Sequence, residues 1–129
     1  MILKFDPAAG ISHFGKDIEN RSWRCPLPIG SYLAIHSGSK WDENAAQFIR
    51  CNASSTALEN YSMFAIVAVA QFNGNVEVSD SVWWIEGQIG WQLINVVRIE
   101  PVWCSGQQGL WNLPDPILNQ VRINYQNAL

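Results

Sequence analysis

The chain has 129 residues, 48% hydrophobic and 15% charged, with seven Trp. That charged share is well below the roughly 25% of an average soluble domain, which excludes a disordered chain or a polyelectrolyte and fits a single domain over residues 1–129. Eight Lys and Arg against eleven Asp and Glu give a formal charge of −3, the wrong sign for coating nucleic acid by counterion release alone, so any nucleic-acid contact has to be local.

Taken in order, Ile2 to Phe5 is a short candidate strand, followed by a turn-rich break from Asp6 to Gly10. Asp17 to Trp23 reads as extended, because Ile18 lies between polar Asp17 and Glu19 with no helical apolar stripe. Pro26 and Pro28 interrupt the chain before Gly30, and Ser31 to His36 is the next strand, with Leu33 and Ile35 on one face and Tyr32, Ala34 and His36 on the other. After a Ser37 to Ser39 turn, Asp42 and Glu43 suit a helix N-terminus, and Ala45, Phe48 and Ile49 form an apolar stripe along Asp42 to Cys51.

Met63 to Phe72 is almost continuously apolar and rich in Val and Ile, the pattern of a strand buried on both faces. The Asn73-Gly74 dipeptide marks a turn after it. Ile89 to Ile99 predicts a long half-buried strand, with Ile89, Trp91, Leu93, Val97 and Ile99 on one face and Asn95 as a polar interruption. Asp115 to Tyr125 spaces Ile117, Leu118, Val121 and Tyr125 as a helix, with Pro114 and Pro116 at its first turn. Strands with short helices near one edge give an α+β or small barrel architecture.

Cys25, Cys51 and Cys104 are odd in number and lack CxxC spacing, which argues against a disulfide framework and suits a reducing cytosol. Met1 to Gly10 has Asp6 and Pro7 where a signal peptide needs an apolar run. The apolar run from Met63 to Phe72 is half the roughly 20 residues of a membrane helix. A cytoplasmic location with no membrane partner is the expectation. His13, His36 and the cysteines have no recognised metal-ligand spacing, and no Walker loop or dinucleotide fingerprint is present, so neither a metal nor a cofactor is expected.

The stretch Gly15-Lys16-Asp17-Ile18-Glu19-Asn20-Arg21-Ser22-Trp23 has the form G-K-x-x-E-x-R. Around it, Gly30 opens a strand ending in Ile35-His36-Ser37, Lys40-Trp41 follows, and Gly106-Gln107-Gln108-Gly109-Leu110-Trp111 comes after the apolar strand pair. Together these resemble an ASCH domain of the PUA-like superfamily over most of the chain. The resemblance implies an α+β fold, a small PUA-like β-barrel with short helices covering its ends and a cleft beside the signature strand. It also implies a partner among RNA, single-stranded nucleic acid, DNA or modified nucleobases. Where an ASCH chain commonly carries a Pro-Trp pair before the signature, this one has Ser12-His13-Phe14.

In an extended segment Glu19, Arg21 and Trp23 share a side. Arg21 can grip a phosphate or base edge, Glu19 can accept from an exocyclic amine, and Trp23 offers a stacking plane, while Lys16 adds a mobile charge. The same residues also fit a structural ion pair under a covering Trp. Charge points the same way as the motif: residues 11–41 hold Lys16, Arg21, Arg24 and Lys40 against Asp17 and Glu19, whereas residues 42–129 hold three Arg against eight acids. His36, Ser37, Lys40 and Trp41 lie just past a strand end, where loops collect binding residues. His36 equally fits a strand histidine with a backbone partner. Gly106 to Gly109 has the GxxG form of a backbone clamp, but no Lys or Arg lies between Arg98 and Arg122, so turn and packing roles are expected, with Gln108 able to reach a base edge.

The alternative is a hydrolase on the same scaffold, either a ribonuclease or an enzyme like relatives of this domain that hydrolyse an acylated cytidine with a Lys and a Thr three residues apart. Lys16 and Glu19 are the candidate catalytic pair, and Glu19 stands where that Thr would be, so a carboxylate replaces the hydroxyl nucleophile.

Overall fold

A computed structural model describes the backbone of residues 2–5 together with residues 17–37, 64–106 and 109–129. The expected helix over residues 42–51, with Cys51, lies outside the described residues. The elements are β1 (Ile2–Phe5), β2 (Ile18–Arg21), β3 (Tyr32–Ser37), β4 (Ala65–Val76), β5 (Ile89–Trp103), β6 (Leu110–Trp111) and α1 (Asp115–Ala128). The strands form one sheet in the order β2-β5-β4-β3-β1-β6, in which β2, β5, β4 and β3 make a curled antiparallel half-barrel. β1 joins β3 in parallel and β6 closes antiparallel on β1. The fold class is therefore α+β, and no helix among the described residues is long and apolar enough to cross a membrane.

The curl has a local cause in the β4–β5 ribbon. Its register shifts between Ile66 and Ala68, between Val69 and Gln71, and between Phe72 and Asn75, and each extra residue bends and twists the pair. Pro101 falls in the first irregular stretch, where it has no N–H to give the ladder. Asn95, at φ 51°, supplies the second. The third contains Asn73-Gly74, with Gly74 at φ 110°. The expected turn at Asn73-Gly74 is therefore corrected: the glycine's conformational freedom is spent on a bulge, and β4 continues to Val76.

A second correction follows from Asn95. Ile89, Trp91 and Leu93 pack with one core cluster, but Val97 and Ile99 pack with the other. The bulge inserts one residue, which exchanges the faces on which later side chains emerge. The expectation of one apolar face along Ile89 to Ile99 thus holds only up to Leu93.

The sheet in this way has two apolar faces. The front face gathers Leu33, Ile35, Val67, Phe72, Trp91 and Leu93. On the back face, Ala34, Ile66, Val69, Ile99, Val102 and Trp111 pack under α1 through Val121, with Ile117 and Tyr125 beside it. β3 sends Leu33 and Ile35 to the front cluster and Ala34 to the back one, as its sequence predicts, and β4 is buried on both faces from Ala65 to Ala70. Pro114 precedes the first turn of α1, and Asn124 Nδ2 ties the helix to the backbone oxygen of Glu100 on β5.

Candidate functional site

The signature strand β2 lies at the sheet edge, paired with β5 so that Glu19 faces Trp91 and Arg21 faces Ile89. Directly opposed residues share a face, so Glu19 and Arg21 emerge on the front, beside Trp91. Ile18 and Asn20 emerge on the back, where they fix the strand. Ile18 is buried against Gly90, at which an added Cβ would sit 3.1 Å from Ile18 and 3.0 Å from Val76. Asn20 donates through Nδ2 to the Trp83 carbonyl at 2.8 Å and accepts through Oδ1 from the Ile85 amide at 2.9 Å. The Ser81 hydroxyl donates to the Asp17 carboxylate. The 77–88 segment is thereby clamped under β2, and this clamp sets which way Glu19 and Arg21 point.

On the front, Arg21 Nε lies 3.3 Å from Glu19 Oε1, with side-chain exposures of 24% and 12%. The Arg21 Nε and Glu19 Oε2 atoms are out of contact with solvent. The Glu19 carboxylate lies at the Nε edge of the guanidinium, and shielding from water makes the pair stronger per contact than a surface one.

Trp23 follows in the same strip. Its carbonyl accepts from Trp91 Nε1 at 2.9 Å, and its ring meets that of Trp91 edge to face at 4.6 Å and 87°. Trp91 in turn contacts Phe72 edge to face at 6.4 Å. An aromatic ladder thus runs from the core to Trp23, which is 39% exposed and offers ring surface at the end of a rigid support. The chain beyond Trp23 is held as firmly: the Asn75 side chain accepts from the Cys25 amide and donates to the Cys25 carbonyl, and Gly30 N–H donates to Phe72 O at 2.7 Å.

The remaining predicted residues divide clearly. Arg24 pairs with Glu77 at 3.5 Å, with both side chains more than half exposed, an arrangement worth little energetically. His36 is 1% exposed and sits on the back face. Its Nε2 donates to the Cys104 carbonyl at 2.7 Å, and its ring contacts Trp111 edge to face at 5.6 Å. Because a carbonyl only accepts, this bond selects the Nε2–H form. Gly106 lies against the ring, where an added Cβ would come within 2.6 Å of Cε1, which fits the packing role expected of that glycine. Ser37 is fully buried, opposite Ala65, and its Oγ has no hydrogen-bond partner among the described residues.

The structure therefore brings Glu19, Arg21 and Trp23 together and places His36 on the other side of the sheet. Lys16, Lys40, Trp41 and Gln108 lie outside the described residues. Trp91, which the sequence placed only on an apolar strand face, supports the site together with Asn20 and Asn75, which the sequence did not single out. The one available signal was position, since Asn20 occupies the back-facing slot between Glu19 and Arg21. Burial pushes the thiols of Cys25 and Cys104 up, which keeps both protonated and unreactive at neutral pH. Among the described residues no group of three His, Cys, Asp or Glu is placed to hold a metal ion. Comparison with models of protein families and with curated proteins found no match.

Proposed function

We propose that the chain is a nucleic-acid or modified-nucleobase binding domain of the ASCH, PUA-like type, RNA-related, whose ligand lies in a cleft beside the signature strand. The observation that carries this reading is the front-facing strip: a shielded Glu19–Arg21 pair and the part-exposed Trp23 ring, all on one rigid edge. In this reading Trp23 stacks on a base, Arg21 contacts a phosphate or base edge, and Glu19 accepts from an exocyclic amine. Lys16 and Lys40 are counted in this reading from the sequence alone. A carboxylate held by a guanidinium is a good hydrogen-bond acceptor and a weak nucleophile, which favours binding over the hydrolase alternative.

Fluorescence anisotropy with labelled single-stranded RNA, alongside a nucleoside panel, tests the proposal. Because a few local cations act against an overall negative chain, affinity should be modest and fall steeply with salt. Arg21→Gln should weaken binding about tenfold or more while the protein still unfolds cooperatively. Salt-independent binding, or a folded Arg21→Gln variant with unchanged affinity, contradicts it.

A further inference from the structure

Where α1 leaves the back face of the sheet, a groove of about 500 Å³ opens between the helix and strands β3 and β4. Its floor is Ala34, Val69 and Val121, all buried, and the small side chain of Ala34 leaves depth at the centre. Tyr32 and Tyr125 form one wall, their rings 6.1 Å apart at 68°, so that they present a corner. Arg122 stands at the rim, exposed, with no hydrogen bond or ion pair among the described residues. The volume falls within the roughly 300–1,000 Å³ of small-molecule sites, which pair apolar walls with a few convergent polar groups.

We propose that this groove binds a small planar aromatic ring carrying one anionic group, either carboxylate or phosphate. The corner accepts a flat ring, stacked on one phenol and met by the edge of the other, an arrangement aromatic rings favour. Tyr32 is 56% exposed beside an apolar floor, so a stacked ligand covers aromatic surface that the chain leaves in water. Arg122 supplies the complementary charge: a guanidinium matches carboxylate or phosphate with two parallel hydrogen bonds. Desolvation, then the neighbouring Tyr32, pushes the Tyr125 hydroxyl up from its ordinary value, and a neutral phenol does not repel an anion. The groove lies on the opposite face from Glu19 and Arg21 and does not depend on the function proposed for them.

Calorimetric titration of the whole chain with uridine 5′-monophosphate and with indole-3-carboxylate separates the two anion sources, and uridine and indole serve as neutral controls. At least one anionic probe should bind at micromolar to millimolar concentration, and about tenfold more tightly than its neutral counterpart. Arg122→Gln should erase that preference, and Tyr32→Ala should weaken both ring types. Both changes lie on exposed side chains, and Arg98→Gln, at an exposed cation on β5, should leave affinity unchanged. Absence of binding by all four probes, equal affinity for charged and neutral rings, or indifference to Arg122→Gln in a folded variant overturns the proposal. So does a change of oligomeric state on Tyr32→Ala, which would assign the groove to a second copy of the chain.

Discussion

The face of the sheet that carries Glu19, Arg21 and Trp23 and the face that carries His36 and Trp111 both set polar side chains against aromatic rings, yet they leave those groups in different states. On the back, His36 is closed in by Trp111, Gly106 and the Cys104 carbonyl, and only 1% of it is exposed. On the front, the Glu19–Arg21 pair keeps part of its surface in water, and Trp23 caps an aromatic ladder with over a third of its surface exposed. Both arrangements are rigid. A polar group sealed on all sides contributes to fold specificity, whereas one held rigidly and left partly open is pre-organised to bind.

Trp91→Ala tests the difference most severely. Trp91 is fully buried, faces Glu19 across the strand pair and donates to the Trp23 carbonyl. Its truncation should cost about 3–5 kcal/mol in denaturant unfolding. It should also lower RNA affinity in whatever fraction remains folded, because the support under Trp23 goes with it. Loss of stability with full affinity would separate the ladder from the proposed site.

Gly106→Ala acts on the back face alone. The new Cβ would overlap the His36 ring, so overpacking of about 1–3 kcal/mol is expected, with RNA affinity per folded molecule unchanged. An affinity loss there would mean that the two faces are coupled.

A smaller effect comes from the two thiols, Cys25 in the front cluster and Cys104 beside the back one. Folding raises both above their ordinary 9.0. A thiol that holds its proton more tightly when folded contributes stability that is complete below 9.0 and is lost as pH rises through that value toward the folded one. Unfolding midpoints should fall above pH 9, and Cys25→Ser and Cys104→Ser should each remove part of the decline. A flat alkaline profile in the native chain would contradict this.

Much of this architecture was legible in the residues. The apolar run of β4, the alternation along β3 and the helical spacing of α1 each follow from burial alone, and the shared face of Glu19 and Arg21 needed only an extended backbone. The expected strand through Trp23 instead ends at Arg21, and Trp23 joins the pair from the bend that follows, through its contacts with Trp91. The bulges were not legible. Asn73-Gly74 has the composition of a hairpin turn, and whether it closes a turn or widens a ladder depends on the partner strand, which local sequence does not encode. The phase change at Asn95 is hidden for the same reason, since apolar side chains on both sides of it suit either face. The clamp of the 77–88 segment onto Asn20 and the support of Trp23 by Trp91 are contacts across more than sixty residues of chain, invisible to periodicity.

The claim that the front strip is the binding surface is tested most directly by titrating single-stranded RNA into nitrogen-15-labelled protein and following the Arg21 Nε–H and Trp23 indole signals against the His36 ring. Saturable shifts at Arg21 and Trp23, with the buried His36 ring unmoved, are the predicted result. Shifts confined to the back face, or none at Arg21 and Trp23 while RNA binds, would contradict the account.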